Sequence, residues 1–310
     1  MYYIGLDIGG TKCAASLGLV EQGEITILRR EEVPTQKDPN ATLTALASAM
    51  ESYKNEAPVC AVGISCGGPL DSKKGVIETP PNLPGWEYFP IVEYIKNRHG
   101  LQAKLENDAN ACALAEWKFG AGKGTENMIF LTFGTGLGAG LVLNGKLYAG
   151  TNGNAGEAGH IRLAKNGPIG YGKVGSFEGF CSGGGISRLA GIMSKTSRFD
   201  TPARAEALQG ITTKKLSEYA RAGDAFAKSV FNKSGRMLGK GLSVLVDLFN
   251  PERIVIGGVF MRSGDLLIPQ MRRVMAKETL AESLRVCEIV PAKLSENIGD
   301  VAAISVATGV

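Results

Sequence analysis

Asp7-Ile8-Gly9-Gly10-Thr11-Lys12 ends one apolar run, Tyr2–Leu6, and leads straight into another, Cys13–Val20. Residues 2–8 alternate and are rich in strand formers, so the glycines sit in a turn between two strands. Glycine has no Cβ, which lets backbone N–H groups converge on phosphate oxygens, while Thr11 and Lys12 add a hydroxyl and an ammonium. Asp7, at the strand end, can hold a magnesium ion through water. Taken alone, such a turn also reads as an ordinary glycine hairpin. Thr132-Phe133-Gly134-Thr135-Gly136 repeats the same chemistry, again between apolar runs. The pairing favours phosphate binding by Gly9, Gly10, Thr11 and Lys12 and by Thr132, Gly134, Thr135 and Gly136. Neither turn is a GxxxxGK[ST] loop, and no helix follows either set of glycines. Ile256-Gly257-Gly258-Val259 ends a further apolar run. Gly257 and Gly258 read either as close helix–strand packing or as a flat surface for adenine or ribose.

Outward from the first turn, EITILRREEV completes a three-strand meander. Residues 41–54 have helical spacing with Asn40 as the expected N-cap, and PVCAVGIS is a buried strand. FPIVEYIKNRHG is an amphipathic helix closed by Gly100; QAKLEND is a strand and ANACALAEWKFG a helix. Three strands, then helix, strand, helix, strand, helix, is the half-domain of the ribonuclease-H/actin topology. The second glycine turn opens a similar series: a helical stretch over 213–249, the strand RIVIGGV, a helix at about 264–278, the strand CEIVPAKL and a terminal helix. The expected fold class is therefore α/β, a two-lobed actin-like (ribonuclease-H-like) ATPase fold with duplicated half-domains. Its lobes are expected at 1–120 plus a C-terminal helix at about 298–310, and at 121–297. Duplication would set the glycine turns face to face across a cleft suited to a nucleotide.

Composition narrows the function class. The 310 residues are 44% hydrophobic and 21% charged, with a net charge of +4, ordinary for a globular protein. So small and scattered an excess points to no nucleic-acid partner. Cys13, Cys60, Cys66, Cys112, Cys181 and Cys287 include no CxxC pair, which argues against a disulfide framework. No apolar run approaches the ~18–20 residues that span a bilayer, and the first strand begins at once with no basic leader. A cytoplasmic protein without membrane contact is expected.

Six motifs in order then carry a resemblance over nearly the whole chain: Asp7–Lys12 (DIGGTK), Asn82–Trp86 (NLPGW), Glu106–Asn110 (ENDAN), Gly134–Gly140 (GTGLGAG), Gly156–His160 (GEAGH) and Gly299-Asp300. Together they resemble the ROK family (repressor, open reading frame, sugar kinase), which includes bacterial glucokinases. Read from spacing alone, Asp108 is either a helix N-cap or a carboxylate facing a cleft. The resemblance implies that it is the general base that accepts the proton of a hexose hydroxyl during phosphoryl transfer. It also implies sugar contacts from Asn82, Asn107, Glu157, His160 and Glu178. His99, the other of the two histidines, reads as a solvated cation at a helix C-terminus.

The implied activity is ATP-dependent phosphorylation of a hexose, most closely glucose at O6, with ATP and Mg2+ as cofactors. An N-acetylhexosamine, fructose or other hexose kinase is the nearest alternative. A sugar-sensing ROK repressor is a rival from another class; those relatives carry an N-terminal helix-turn-helix, which a strand beginning at residue 2 does not accommodate. An actin-like ATPase would leave Glu157, His160 and Glu178 without a task. A homodimer is expected.

The chain departs from the family pattern in two places. Zinc-containing relatives carry CxCGxxGCxE after GEAGH. Here residues 166–178 keep Glu178 and none of the cysteines before it. Cys181 and His160 cannot complete a four-coordinate set, so no structural zinc is expected. Ordinary hydrogen bonds should orient His160, and residues 164–177, with four glycines, should form a loop that orders when sugar binds. In the second departure, Gly67 of Ser65-Cys66-Gly67-Gly68-Pro69 stands where many relatives have proline.

Overall fold

The computed structural model describes residues 1–294 and 298–309. The chain folds into two compact units. One comprises Met1–Gly124, Gly140–Ala155 and the chain from Lys293; the other comprises Thr125–Ala139 and Gly156–Ala292.

The first unit opens on the meander that the alternation predicts: β1 (Tyr2–Ile8), β2 (Lys12–Glu21) and β3 (Glu24–Pro34), successively antiparallel. There follow α1 (Pro39–Glu56), β4 (Val59–Cys66), the short strands β5 (Leu70–Asp71) and β6 (Val76–Ile77), α2 (Ile91–His99), β7 (Ala103–Asn107) and α3 (Asp108–Phe119). The sheet order is β3-β2-β1-β4-β7, with β4 parallel to both β1 and β7. Asp38 rather than Asn40 caps α1: its carboxylate accepts the Asn40 N–H at 3.0 Å. Pro39 takes the first helical position, where a missing donor costs nothing.

Both faces of β1 are covered. Ile4, Leu6 and Ile8 pack with Leu43, Leu46 and Met50 of α1 and Ile91 and Ile95 of α2. On the other face Tyr3 and Ala61 meet Ile304 and Ala307 of the terminal helix. A Cβ on Gly63 of β4 would overlap the Ala303 carbonyl, so glycine there lets that helix lie close on the sheet. Gly100, at φ 70°, ends α2 as expected. His99 is not the solvated cation that its position suggested. Its side chain is only 2% exposed, with Nδ1 2.7 Å from Glu51 Oε1 of α1.

The second series runs β8 (Met128–Phe133), β9 (Leu137–Leu143), β10 (Lys146–Leu147), a 3-10 turn (Ala158–His160), β11 (Ile169–Gly170), β12 (Lys173–Val174), α4 (Phe177–Cys181), α5 (Gly183–Ser194) and α6 (Pro202–Gln209). It continues with α7 (Thr213–Arg221), α8 (Ala225–Phe249), β13 (Arg253–Ile256), α9 (Val259–Glu278), α10 (Ala281–Val286), β14 (Glu288–Pro291) and α11 (Ile298–Ala307). The order β10-β9-β8-β13-β14 repeats that of the first sheet position by position, and β13 is parallel to β8 and β14. The same half-domain is thus built twice. The stretch 213–249 is two helices rather than one. Gly223 at φ 100° breaks it, and Asp224 caps α8 by accepting the Ala227 N–H at 2.9 Å. Helix α9 begins at Val259, ahead of the expected 264, and kinks at Ser263. Among the described residues no helix is long and apolar enough to cross a membrane.

Candidate active site

The two glycine turns share one construction. In the first, the Gly9 N–H closes the turn onto the Lys12 carbonyl at 3.2 Å. In the second, the Gly134 N–H closes onto the Gly136 carbonyl at 3.1 Å. The next two N–H groups, of Gly10 and Thr11 and of Thr135 and Gly136, make no hydrogen bond to any described residue. Consecutive unpaired N–H groups at a strand end form a concave donor site for an anion. The Thr132 hydroxyl stays inside its turn, accepting the Gly138 N–H at 2.9 Å. The Lys12 ammonium lies 2.9 Å from Glu32 on the exposed face of the meander.

Asp7 stands at the end of β1 opposite Ala14 and Ser65. Desolvation pushes its carboxyl up to about 6, helped by Asp300 and Asp108 and opposed by Arg30 and Lys12. Asp300 is already engaged, accepting from Ser16 Oγ at 2.5 Å and Arg30 Nε at 3.0 Å. Asp7 hydrogen-bonds to no described residue, and Gly299 of α11 lies against its carboxylate. An unbonded carboxylate crowded by like charges is one that a cation relieves. Mg2+ keeps several waters and needs only one or two protein carboxylates, so Asp7 fits the magnesium role.

At the β7–α3 junction Asn107, not Asp108, is the N-cap, its Oδ1 accepting the Ala109 N–H at 3.0 Å. Asp108 is the first helical residue; its Oδ1 shares that N–H at 2.8 Å and its side chain keeps an exposed face. Desolvation raises its carboxyl above the usual range, and the Ala109 N–H opposes the shift. Beneath the pair, buried Glu106 accepts from the Asn107 N–H at 2.9 Å, Asn110 Nδ2 at 3.0 Å and Ser72 Oγ at 3.2 Å. Asn82 is brought to the first turn, because a Cβ on Gly10 would meet its carbonyl and Cβ. Trp86, fully buried and donating to the Gln36 carbonyl at 2.8 Å, anchors that loop.

In the second unit Glu178 accepts the Leu137 N–H at 3.1 Å and lies against Gly136. The 3-10 turn packs on the same strand through the Ala139 N–H to the Gly156 carbonyl at 2.8 Å. Glu157 and His160 are exposed on that turn; a Cβ on Gly159 between them would meet the Leu137 carbonyl and Glu178 Cβ, so this turn, Glu178 and the second glycine turn share one neighbourhood. The His160 ring makes no hydrogen bond to a described residue, contrary to expectation; it meets the Tyr171 ring edge to face, centroids 6.2 Å apart. Among the described residues no three His, Cys, Asp or Glu side chains are placed to share an ion.

Residues 164–177 include more regular structure than a plain loop. They form a β11–β12 hairpin tied down by backbone hydrogen bonds: Leu163 and Ala164 N–H to the Gly175 carbonyl, and Gly175 N–H to Pro168 at 3.0 Å. Gly175, at φ 68°, is required because a Cβ would overlap the Ala164 carbonyl.

A cavity of about 650 Å³ opens beside the second turn, lined by Gly134, Thr135, Gly183, Gly184, Thr213 and Arg262 among others. Gly258, at φ 61°, caps α9 beside Phe133 and Gly134, and the Gly257 N–H donates to Leu131 at 3.0 Å. Gly183 and Gly184 were missed by the sequence reading. The run Ser182-Gly183-Gly184-Gly185 was the available signal, with the Gly183 N–H donating to the Gly134 carbonyl at 2.8 Å. Asp300 and Glu106 stood in family motifs without an assigned role.

Two sheets of one order, each opening on a phosphate-type turn, define the actin-like ATPase fold. The chain belongs to the ROK family, whose sequence model matches residues 3–309. It is 37% identical over 314 residues to a glucokinase of Streptomyces coelicolor, covering 98% of this chain and 96% of that one. The structure of a ROK hexokinase from Thermus thermophilus matches with a TM-score of 0.81 at 34% identity, covering 99% and 98% of the two chains. A ROK glucokinase from Streptomyces griseus, solved with glucose and AMPPNP, matches over 100% of both chains with a TM-score of 0.77 at 33% identity.

Proposed function

We propose that this chain is an ATP-dependent sugar kinase that phosphorylates a hexose, glucose at O6 being the first acceptor to test. The observation that carries the reading is the division of labour at the β7–α3 junction. Asn107 does the capping, which leaves Asp108, an accessible residue whose carboxyl pKa is raised by desolvation from the surrounding protein, with no structural task beyond one shared N–H. A base whose pKa moves towards neutrality is better matched to accepting a hydroxyl proton at working pH. The related glucokinase solved with glucose and AMPPNP supports both substrates.

In this reading Asp108 accepts the proton of the attacking hydroxyl as the phosphoryl group transfers. Asn107, its Oδ1 held by the helix, offers its amide N–H2 to the sugar, and Asn82 offers a further polar contact. Glu157, His160 and Glu178 take sugar hydroxyls through their oxygens and imidazole. The free N–H pairs of Gly10 and Thr11 and of Thr135 and Gly136 hold phosphate oxygens. The cavity beside Gly134, Gly183, Gly184 and Gly258 takes the adenosine. ATP with Mg2+ supplies the transferable phosphoryl group and neutralises its charge, and Asp7 orients the waters of the metal. ADP release measured across a panel of hexoses with ATP and magnesium tests the proposal. Turnover no faster with any sugar than without one refutes it.

A further inference from the structure

The hairpin that follows His160 carries a residue that turn chemistry alone would not choose. Tyr171 and Gly172 join β11 to β12 with φ of 42° and 74°. Two central residues at positive φ mark the type I′ turn, where asparagine and glycine are favoured and a bulky aromatic is strained. The β9–β10 turn of this same chain uses the favoured pair, Asn144 and Gly145, at φ 52° and 68°. Core packing does not explain the tyrosine, since Tyr171 is 77% exposed. What its ring does meet is the His160 ring, edge to face at 73°. Next along the hairpin, Lys173 Nζ donates to the His160 carbonyl at 2.8 Å. His160 is therefore held twice, at its ring and at its main chain, by residues 171–173.

The base of this hairpin is rigid enough to transmit such a hold. Ser176 Oγ donates to the Gly170 carbonyl at 3.3 Å and accepts the Gly179 N–H at 3.1 Å, which fixes the hairpin to α4, the helix of Glu178. The Phe177 N–H donates back to Ile161 at 2.8 Å, closing the segment onto the residue after His160. Strain retained where a contact is made, rather than where the core is filled, is the signature of a positioning residue.

We propose that Tyr171 is a positioning residue for His160, its ring holding the imidazole in the rotamer that a sugar hydroxyl requires while Lys173 fixes the main chain beneath it. The inference rests on the reading of His160 as a sugar contact, and it assigns a purpose to the strained turn. Replacing Tyr171 by the residue its turn prefers should therefore stabilise the protein and weaken its hold on the sugar at once.

The experiment compares wild type, Tyr171→Asn and Tyr171→Phe by thermal denaturation, by proton NMR of the histidine rings and by steady-state kinetics. The spectrum is simple, because the chain has only two histidines. Tyr171→Asn should raise the melting temperature by roughly 2–4 °C. It should move the His160 ring resonances and leave those of His99 in place. Its KM for the hexose should rise about 10-fold, the size of a modest contact, with kcat and the KM for ATP nearly unchanged. Tyr171→Phe, which keeps the ring and the strain, should match wild type in all three measurements. Unmoved His160 resonances in Tyr171→Asn would overturn the proposal, and so would an unchanged hexose KM in an active enzyme. A wild type that phosphorylates no hexose refutes the functional reading separately, and the NMR and melting measurements still decide whether Tyr171 holds His160.

Discussion

Asp108→Asn separates the two roles that a carboxylate at a helix start can play. The exchange replaces one oxygen with an NH2 group at nearly constant volume. The helix should barely notice: Asn107 Oδ1 already accepts the Ala109 N–H at 3.0 Å, and Asn at 108 keeps a second acceptor for it. A negative charge in the first turn favours the helix dipole by about 0.3–1 kcal/mol. Its loss is offset by removing the repulsion that helps push Asp7 up to about 6. The net change in stability should stay within about 1 kcal/mol. The effect on rate is of another size. Removing a positioned general base costs about 100- to 10,000-fold, or about 3–5 kcal/mol of barrier. Because an amide cannot take the proton, kcat should fall by roughly 1,000-fold while sugar affinity changes little. Urea denaturation, calorimetric titration with the sugar and coupled ADP-release kinetics supply the three numbers. Activity within tenfold of wild type, or a stability loss above about 2 kcal/mol, would reduce Asp108 to a helix-capping residue.

Asp7 gives a prediction whose sign depends on pH. The folded protein keeps the Asp7 proton up to pH about 6, whereas the unfolded chain releases it near 3.8. The folded state thus holds the extra proton in that window, and stability is lost as pH rises through it. In metal-free buffer Asp7→Asn should add up to about 3 kcal/mol at pH 7.5 and almost nothing at pH 3.5, while abolishing magnesium-supported turnover; equal gains at the two pH values would sink this account. At the cavity, a side chain on Gly184 would press on the Thr135 carbonyl and the Arg188 guanidinium. Gly184→Val should raise the KM for ATP at least tenfold and leave the sugar KM alone, and a variant with normal ATP dependence would move the nucleotide elsewhere. Glu116 is fully buried and accepts the backbone N–H groups of Ala121 at 2.7 Å, Lys293 at 2.9 Å and Leu294 at 2.8 Å. Glu116→Gln turns an acceptor into a donor among donors and should cost about 2–4 kcal/mol by urea denaturation; a loss under about 1 kcal/mol would show that water takes its place.

Much of the candidate site was legible because its chemistry is local. Asp7 through Lys12 and Thr132 through Gly136 announce strand, turn and strand within a few residues, and a turn's donors follow from its own backbone. Asn107-Asp108 was legible as a strand–helix junction, but not as to which residue caps. Both can accept the Ala109 N–H, and only the angle at which β7 feeds α3 gives the cap to Asn107. The β11–β12 hairpin within residues 164–177 was not legible, since glycine composition does not say that the folded chain uses Gly175 for a close approach to Ala164.

The amino-acid sequence by itself determined the main strand and helix order of the first half-domain, the paired glycine turns and the family motifs, because each is written in periodicities and turn residues that act over a few positions. Tertiary structure alone decided the rest. It buried His99 under Glu51, 48 positions away in sequence. It set Gly183 and Gly184 beside Gly134 to line a cavity, left Asp7 unbonded while engaging Asp300, and laid Tyr171 against His160. Those outcomes depend on which surfaces meet after the chain has closed on itself, and no local propensity records the partner that arrives from a distant segment.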